Sequence, residues 1–267
     1  MEKFTFGFIG CGNMGGTLLK AVAKKFPKTE ICCYDKIIEK SNEMSDFATV
    51  LSGSCEVAEK SRIIFIGVKP QFYEDCFAEI NGGLSNNLEG VIVSMAAGVS
   101  ISGVEKLIST KRAIIRIMPN TPCQFGKGVI LYDCNNFVTD DQRRLFLDSM
   151  QSCGLVDNLE EGLIDVASVI SGCGPAFVYM YIDALKKAGV KLGLDDEKAL
   201  NYAVKTVEGS AVTVQNSTKS VSDLIKAVCS PGGTTIEGVN YFEENGLYEL
   251  VEKALNASYQ KTLKLKK

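Results

Sequence analysis

The chain has 267 residues, 46% of them hydrophobic and 23% charged, with a formal net charge of −3. That is enough for one large or two modest domains with a substantial core, and the acidic balance argues against a general nucleic-acid binder. Histidine is absent, so the commonest general acid–base is missing, and any chemistry falls to hydroxyls, lysines, carboxylates or the substrate itself.

No unbroken apolar run approaches the ~20 residues of a membrane span, and the N-terminus lacks a signal-peptide pattern, so a cytoplasmic protein with no membrane partner is expected. The ten cysteines, at 11, 32, 33, 55, 76, 123, 134, 153, 173 and 229, include no CxxC pair. Most lie in apolar contexts and read as reduced, buried thiols. With no histidine and no clustered carboxylates, a metal site is not expected.

In chain order, Phe4 to Ile9 is an apolar run that breaks into a glycine turn, Gly10–Cys11–Gly12–Asn13–Met14–Gly15, ahead of a segment with helical composition, Thr17 to Val22. Strand, glycine turn and helix are what a dinucleotide pyrophosphate requires. Gly10 permits the turn, Gly12 lets backbone N–H groups reach phosphate, and Gly15 lets the helix lie close to the strand. The helix N-terminus adds unpaired N–H groups and a partial positive charge. A second apolar run, Ile31 to Tyr34, ends at Asp35, 20 residues after Gly15, where an acid would hold ribose hydroxyls.

A polar segment, Lys36 to Asp46, and a short apolar piece, Phe47 to Leu51, come next. RIIFIGV (Arg62 to Val68) reads as a buried parallel strand ended by Lys69–Pro70, with Lys69 placed to approach a phosphate or ribose. VIVSM (Val91 to Met95) is a strand ending in Ala96–Ala97–Gly98, small enough for a ligand to approach the backbone. AIIRIM (Ala113 to Met118) is a strand ended by Pro119–Asn120–Thr121–Pro122. Gly128 to Tyr132 and Leu155 to Val156 read as short closing strands around a helix from Asp140 to Ser152. The alternation predicts an α/β N-terminal domain over 1–160, with a mostly parallel sheet and antiparallel additions near its end.

Beyond Leu159 only helical patterns occur, predicting an all-α domain over 161–267. Ser171–Gly172–Cys173–Gly174–Pro175 starts a helix running to about Ala188. Asp195–Asp196 starts another, to about Gln215, and shorter helices lead to a last one over Leu247 to Leu265. Apolar residues on more than one face point to burial against a partner subunit or against the first domain. The stretch Ser230–Pro231–Gly232–Gly233–Thr234–Thr235 combines glycines and hydroxyls at a helix start. It suits a nest of N–H groups for a carboxylate, or an N-cap by one of the threonines.

SPGGTTIEGV, with GFIGCGNMGG, VKPQ, SMAAGVSI, RIMPNTP and LIDVASVISGCGPAF, resembles pyrroline-5-carboxylate reductase from residue 4 to the final helix. The resemblance implies a Rossmann-type domain followed by a helical substrate-binding and dimerisation domain. It implies reduction of the C=N bond of 1-pyrroline-5-carboxylate to L-proline by hydride from NADPH or NADH. Gly10 to Gly15, Asp35, Lys36, Ser54, Val68–Lys69–Pro70, Ala96–Ala97–Gly98 and Asn120 would line the cofactor. Ser230, Gly232, Gly233 and Thr234 would hold the substrate carboxylate, and Thr235 would address the ring nitrogen as the catalytic residue. Subunits would pair through the helical domain as a homodimer, with assembly up to a decamer in some members.

Two departures stand out. Ser54 occupies a position, 15 residues before Lys69, where members often carry Asn, and Asn216 to Val221 lacks their Glu-x-His-Pro character. On cofactor choice, Asp35 argues for NADH because a carboxylate repels a 2′-phosphate, Lys36 argues the other way, and the balance leans to NADH. Two rivals are a β-hydroxyacid dehydrogenase-like oxidoreductase, whose lysine has no counterpart in SGCGPAF, and a non-catalytic dinucleotide-binding regulator.

Overall fold

The structure, a computed structural model, describes residues 3–265. It divides into two compact units: the chain up to Cys173 together with the segment from Tyr259, and Gly174–Ser258.

The first unit is an eight-stranded sheet. Its strands are β1 (Phe4–Ile9), β2 (Ile31–Tyr34), β3 (Thr49–Val50), β4 (Ser61–Ile66), β5 (Val91–Ser94), β6 (Ile114–Pro119), β7 (Gly128–Cys134) and β8 (Gly154–Asn158). They lie in the order β3-β2-β1-β4-β5-β6-β7-β8. Every neighbouring pair is parallel except β6 and β7. The link between those two strands is too short for a parallel crossover, which needs about a dozen residues or more. The antiparallel additions expected near the domain's end are therefore β7 and β8, which run parallel to each other and opposite to the other six strands. The apolar piece Phe47 to Leu51 contains the two-residue edge strand β3, which its length had hidden.

The crossovers carry α1 (Asn13–Val22), α2 (Ile38–Asn42), α3 (Ser54–Lys60), α4 (Tyr73–Asn86), α5 (Ile101–Glu105) and α6 (Asp140–Met150), and α7 (Glu161–Ser171) follows β8. Both sheet faces are covered. Phe6, Phe8, Phe65 and Ile115 pack with Leu18, Leu19 and Phe146 on one side. Ile64, Ile66, Ile92 and Ile114 pack with Val57, Phe77 and Leu84 on the other. Burial on two faces explains why the strands read as unbroken apolar runs, and each such side chain contributes about 1.5–3 kcal/mol. Strand order changes direction between β1 and β4, so a crevice opens beyond their C-terminal ends.

The second unit holds α8 (Gly174–Lys191), α9 (Asp196–Asn216), α10 (Val221–Val228), α11 (Thr234–Glu244) and the greater part of α12 (Leu247–Leu265). Tyr179, Met180, Tyr181, Tyr202, Tyr241 and Tyr248 are exposed along them. Helices that are apolar on several faces leave this much surface uncovered, and large exposed patches of this kind mark association surfaces.

The stretch Glu161–Lys191 contains an 18-residue window of mean hydropathy 1.5, long and apolar enough to cross a membrane on length and composition alone. It is not an unbroken apolar run, because single charges such as Asp165 interrupt it. Asp165 is itself buried and ion-paired to Arg116 in the first unit.

Candidate active site

The glycine turn is shaped by contacts between backbones. Gly10 has φ +94°, and a Cβ there would lie 2.8 Å from the carbonyl carbon of Gly67. One on Gly15 would lie 2.0 Å from Gly10 O, and one on Gly67 would lie 2.5 Å from the same oxygen. Gly67 N–H donates to Ile9 O at 2.7 Å, which locks the end of β4 against the end of β1. Gly12 differs: among the described residues, no atom lies within 4 Å of a Cβ placed there. It is the N-cap of α1 and offers no side-chain cap. The first-turn N–H groups, from Asn13 through Gly15, therefore face an open space at the positive end of the helix. Met14 is half-buried and packs on the core.

Cys11 is buried, and its N–H donates to Asp35 Oδ2 at 2.7 Å. Asp35 Oδ1 accepts the N–H of Ile37 at 2.8 Å, and its own N–H goes to Ser41 Oγ at 2.6 Å. The Cys11 thiol donates to Tyr34 O at 3.8 Å, and the neighbouring Cys33 thiol together with burial pushes Cys11 up. Lys36 is exposed beside Asp35. Ser54 opens α3, is buried, and its Oγ has no hydrogen-bond partner among the described residues.

Beyond β4, Val68 is half-buried, Lys69 is exposed, and Pro70 starts a short helical turn through Phe72. Beyond β5, Ala96 and Gly98 are buried while Ala97 forms the exposed tip of a turn. That turn is closed by Val99 N–H on Ala96 O at 3.3 Å, with Gly98 at φ +76°. A glycine is required at this third position of a type II turn. The Asn120 side chain is committed to the protein itself: Nδ2 donates to Ser171 O and Oδ1 accepts Val129 N–H, both at 2.9 Å. Any cofactor contact from this position therefore competes with those bonds.

In the second unit, Ser230–Gly233 is another type II turn. Pro231 sits at its second position, Gly232 has φ +70° at its third, and Gly233 N–H closes onto Ser230 O at 2.9 Å. Gly233, not a threonine, is the N-cap of α11, and no side chain caps the helix there. Thr234 and Thr235 are the first two residues of α11, both exposed, so neither hydroxyl is spent on capping. The N-cap alternative for the threonines is thereby replaced. What remains is a helix start with open N–H groups and two available hydroxyls, suited to a carboxylate and an adjacent polar atom.

Three features escaped the sequence reading. Gly67 looks like one more residue of an apolar strand. Tyr73 looks like a core aromatic. Arg116 is a charge inside AIIRIM; its guanidinium pairs with Asp165 at 2.5 Å and with Glu161 at 3.2 Å. Glu161 Oε1 also accepts Ile101 N–H at 2.6 Å, beside the Ala96–Gly98 turn. A charge in a buried strand demands a partner, and Asp165 within the apolar stretch LIDVAS was the visible candidate.

The model for pyrroline-5-carboxylate reductase dimerisation matches residues 161–265, and that for NADP oxidoreductase, coenzyme F420-dependent, matches residues 5–98. Pyrroline-5-carboxylate reductase of Aquifex aeolicus is 35% identical over 97% of this chain and 96% of its own length. That of Escherichia coli K12 is 35% identical over 100% of both chains. The solved structure of Plasmodium falciparum pyrroline carboxylate reductase with NADP bound aligns at a TM-score of 0.90, with 31% identity and 100% coverage of both chains.

Proposed function

Because the chain belongs to the pyrroline-5-carboxylate reductase family, we propose that it reduces the C=N bond of 1-pyrroline-5-carboxylate to L-proline, the last step of proline biosynthesis. It is an oxidoreductase that uses a nicotinamide dinucleotide, which supplies the hydride when bound. The observation that carries the substrate reading is the Ser230–Gly233 turn, which leaves the α11 N-terminus and both threonine hydroxyls open.

The open space over Gly12 fits a pyrophosphate, which the N–H groups of Asn13, Met14 and Gly15 would hold. Val68, Lys69 and Pro70 on one side and Ala96, Ala97 and Gly98 on the other would flank the rest of the cofactor. Asp35 would take the ribose hydroxyls, and its fixed carboxylate supports a preference for NADH over NADPH. Ser54 and Asn120 stand as weaker cofactor contacts, one buried and the other engaged by backbone.

On the substrate side, N–H groups of Gly232, Gly233 and Thr234, with Ser230, would hold the carboxylate. The Thr235 hydroxyl would hydrogen-bond the ring nitrogen. A cyclic imine is basic enough to be partly protonated near neutral pH, and the iminium accepts hydride readily. The protein's main task is then alignment, which supplies a large share of the rate and explains how the chain works without histidine. Residues 161–265 carry self-association, with a homodimer as the proposed unit. The cytoplasm is the proposed location, where the ten free thiols stay reduced.

The test is absorbance at the nicotinamide band with purified protein, 1-pyrroline-5-carboxylate and either NADH or NADPH. Imine-dependent loss of signal is expected, faster with NADH. Cofactor binding without turnover would reject the reading.

A further inference from the structure

Tyr73 opens α4, and its ring is 2% exposed beside Phe77, with centroids 5.7 Å apart. Its hydroxyl sits between the C-terminal ends of β4 and β5. It donates to Ile66 O at 3.2 Å, accepts Met95 N–H at 3.2 Å, and lies 3.2 Å from Ser94 Oγ. A phenol has one proton to give and two lone pairs. With the proton on Ile66 O, Ser94 is the donor of the third bond, and the hydroxyl is fully satisfied. Burial pushes the phenol up to about 12, so the donor proton is retained at any working pH.

The two backbone partners mark where the strands stop and the crevice loops begin. Ile66 is followed by Gly67, which packs on Gly10 and Gly15, and then by Val68–Lys69–Pro70. Met95 is followed by Ala96–Ala97–Gly98. One oxygen therefore ties together the two loops that flank the crevice, at the point where each leaves the sheet. We propose that Tyr73 is a positioning residue for the dinucleotide: its hydroxyl cross-links the Val68–Pro70 and Ala96–Gly98 loops and sets the distance between them. This rests on reading those loops as cofactor-lining.

Tyr73→Phe keeps the ring and removes only the oxygen. Direct titration of NADH and NADPH by nicotinamide fluorescence should show Kd raised about fivefold, the size expected for a lost buried hydrogen bond. KM for the cofactor should rise in parallel, with kcat within about twofold. Ser94→Ala removes one of the three bonds without opening the backbone ties, and should raise Kd by about twofold or less. Should Tyr73→Phe not fold, Tyr73→Met fills the ring's space without a hydroxyl and takes its place in the titration. A folded hydroxyl-free variant with unchanged Kd for both cofactors overturns the proposal, as does a loss of kcat with Kd unchanged. Ala97→Leu tests the premise separately, because it places bulk at the exposed turn tip without touching Tyr73. Loss of cofactor binding there, with Tyr73→Phe binding normally, overturns the role of Tyr73 alone. Normal binding in Ala97→Leu overturns the loop assignment and the proposal with it. Since these titrations contain no imine, neither result depends on the identity of the substrate.

Discussion

Asp35 and Cys11, just past the ends of the neighbouring strands β2 and β1, are joined by a 2.7 Å hydrogen bond from the Cys11 N–H to Oδ2, while Ile37 N–H holds the other carboxylate oxygen. An acid gripped at both oxygens cannot swing away from an approaching group. A ribose 2′-hydroxyl can donate to it, whereas a 2′-phosphate meets fixed like charge. Asp35→Ser should raise the ratio of kcat/KM for NADPH over NADH by at least about tenfold, a 1.4 kcal/mol change. An unchanged ratio would remove Asp35 from cofactor selection.

Two glycines of one turn should fail in different ways. A methyl on Gly15 would lie 2.0 Å from a backbone oxygen, so Gly15→Ala forces β1 and α1 apart. It should lower stability by about 1–3 kcal/mol or more, read as a fall in Tm. A methyl on Gly12 meets only open space. Gly12→Ala should keep its Tm and lose cofactor affinity by about tenfold or more. Equal Tm losses in the two variants would contradict the division.

Thr235→Ala should lower kcat/KM for the imine by at least about tenfold, a loss of about 1.4 kcal/mol of transition-state contact. Thermal unfolding should stay put, because the hydroxyl caps nothing. Thr235→Ser should recover most of the loss. Normal kinetics in the alanine variant would take the ring nitrogen away from Thr235.

Alkali should weaken the first unit in a defined window. Burial pushes the Cys32 and Cys76 thiols from 9.0 to about 12 and the Tyr73 phenol from 10.0 to about 12. In each case the folded value lies above the unfolded one, so the native state holds the proton longer. The contribution is complete below the unfolded values and is lost as pH climbs through the folded ones. Urea melts should show level stability up to roughly pH 8–9 and then decline by up to about 1.4 kcal/mol per pH unit for each group. Cys76→Ala should make the decline shallower by one group. A slope unaltered in that variant would show that Cys76 does not hold its proton in this way.

The glycine turn was legible because its evidence is local. Strand, turn, helix and Asp35 fall within 35 consecutive residues, and each has a composition tied to its geometry. The Ser230–Gly233 turn was legible for the same reason, since Pro and Gly take the places a type II turn gives them. What the threonines do was less so. Whether a Thr at a helix start caps it depends on which residue is the cap, and a one-residue offset to Gly233 decides it. Tyr73 was not legible at all. Its partners, Ile66 and Ser94–Met95, lie 7 and 21–22 positions away, and only the pairing of β4 with β5 brings them together. The long apolar faces of α8 to α12 announced a covered surface without naming its cover, because hydrophobicity carries no partner identity.

The contrast among the glycines has a reading in descent as well as in energy. Gly10, Gly15 and Gly67 exclude one another's side chains, so a lineage can alter one only by moving another, whatever the protein is used for. Gly12 is under no such bond, so the fold alone would let it change, and under the role proposed for it only the bound dinucleotide keeps it bare. Relaxed selection on catalysis would let Gly12 drift first while the other three stayed, leaving a sound fold with a stopped mouth.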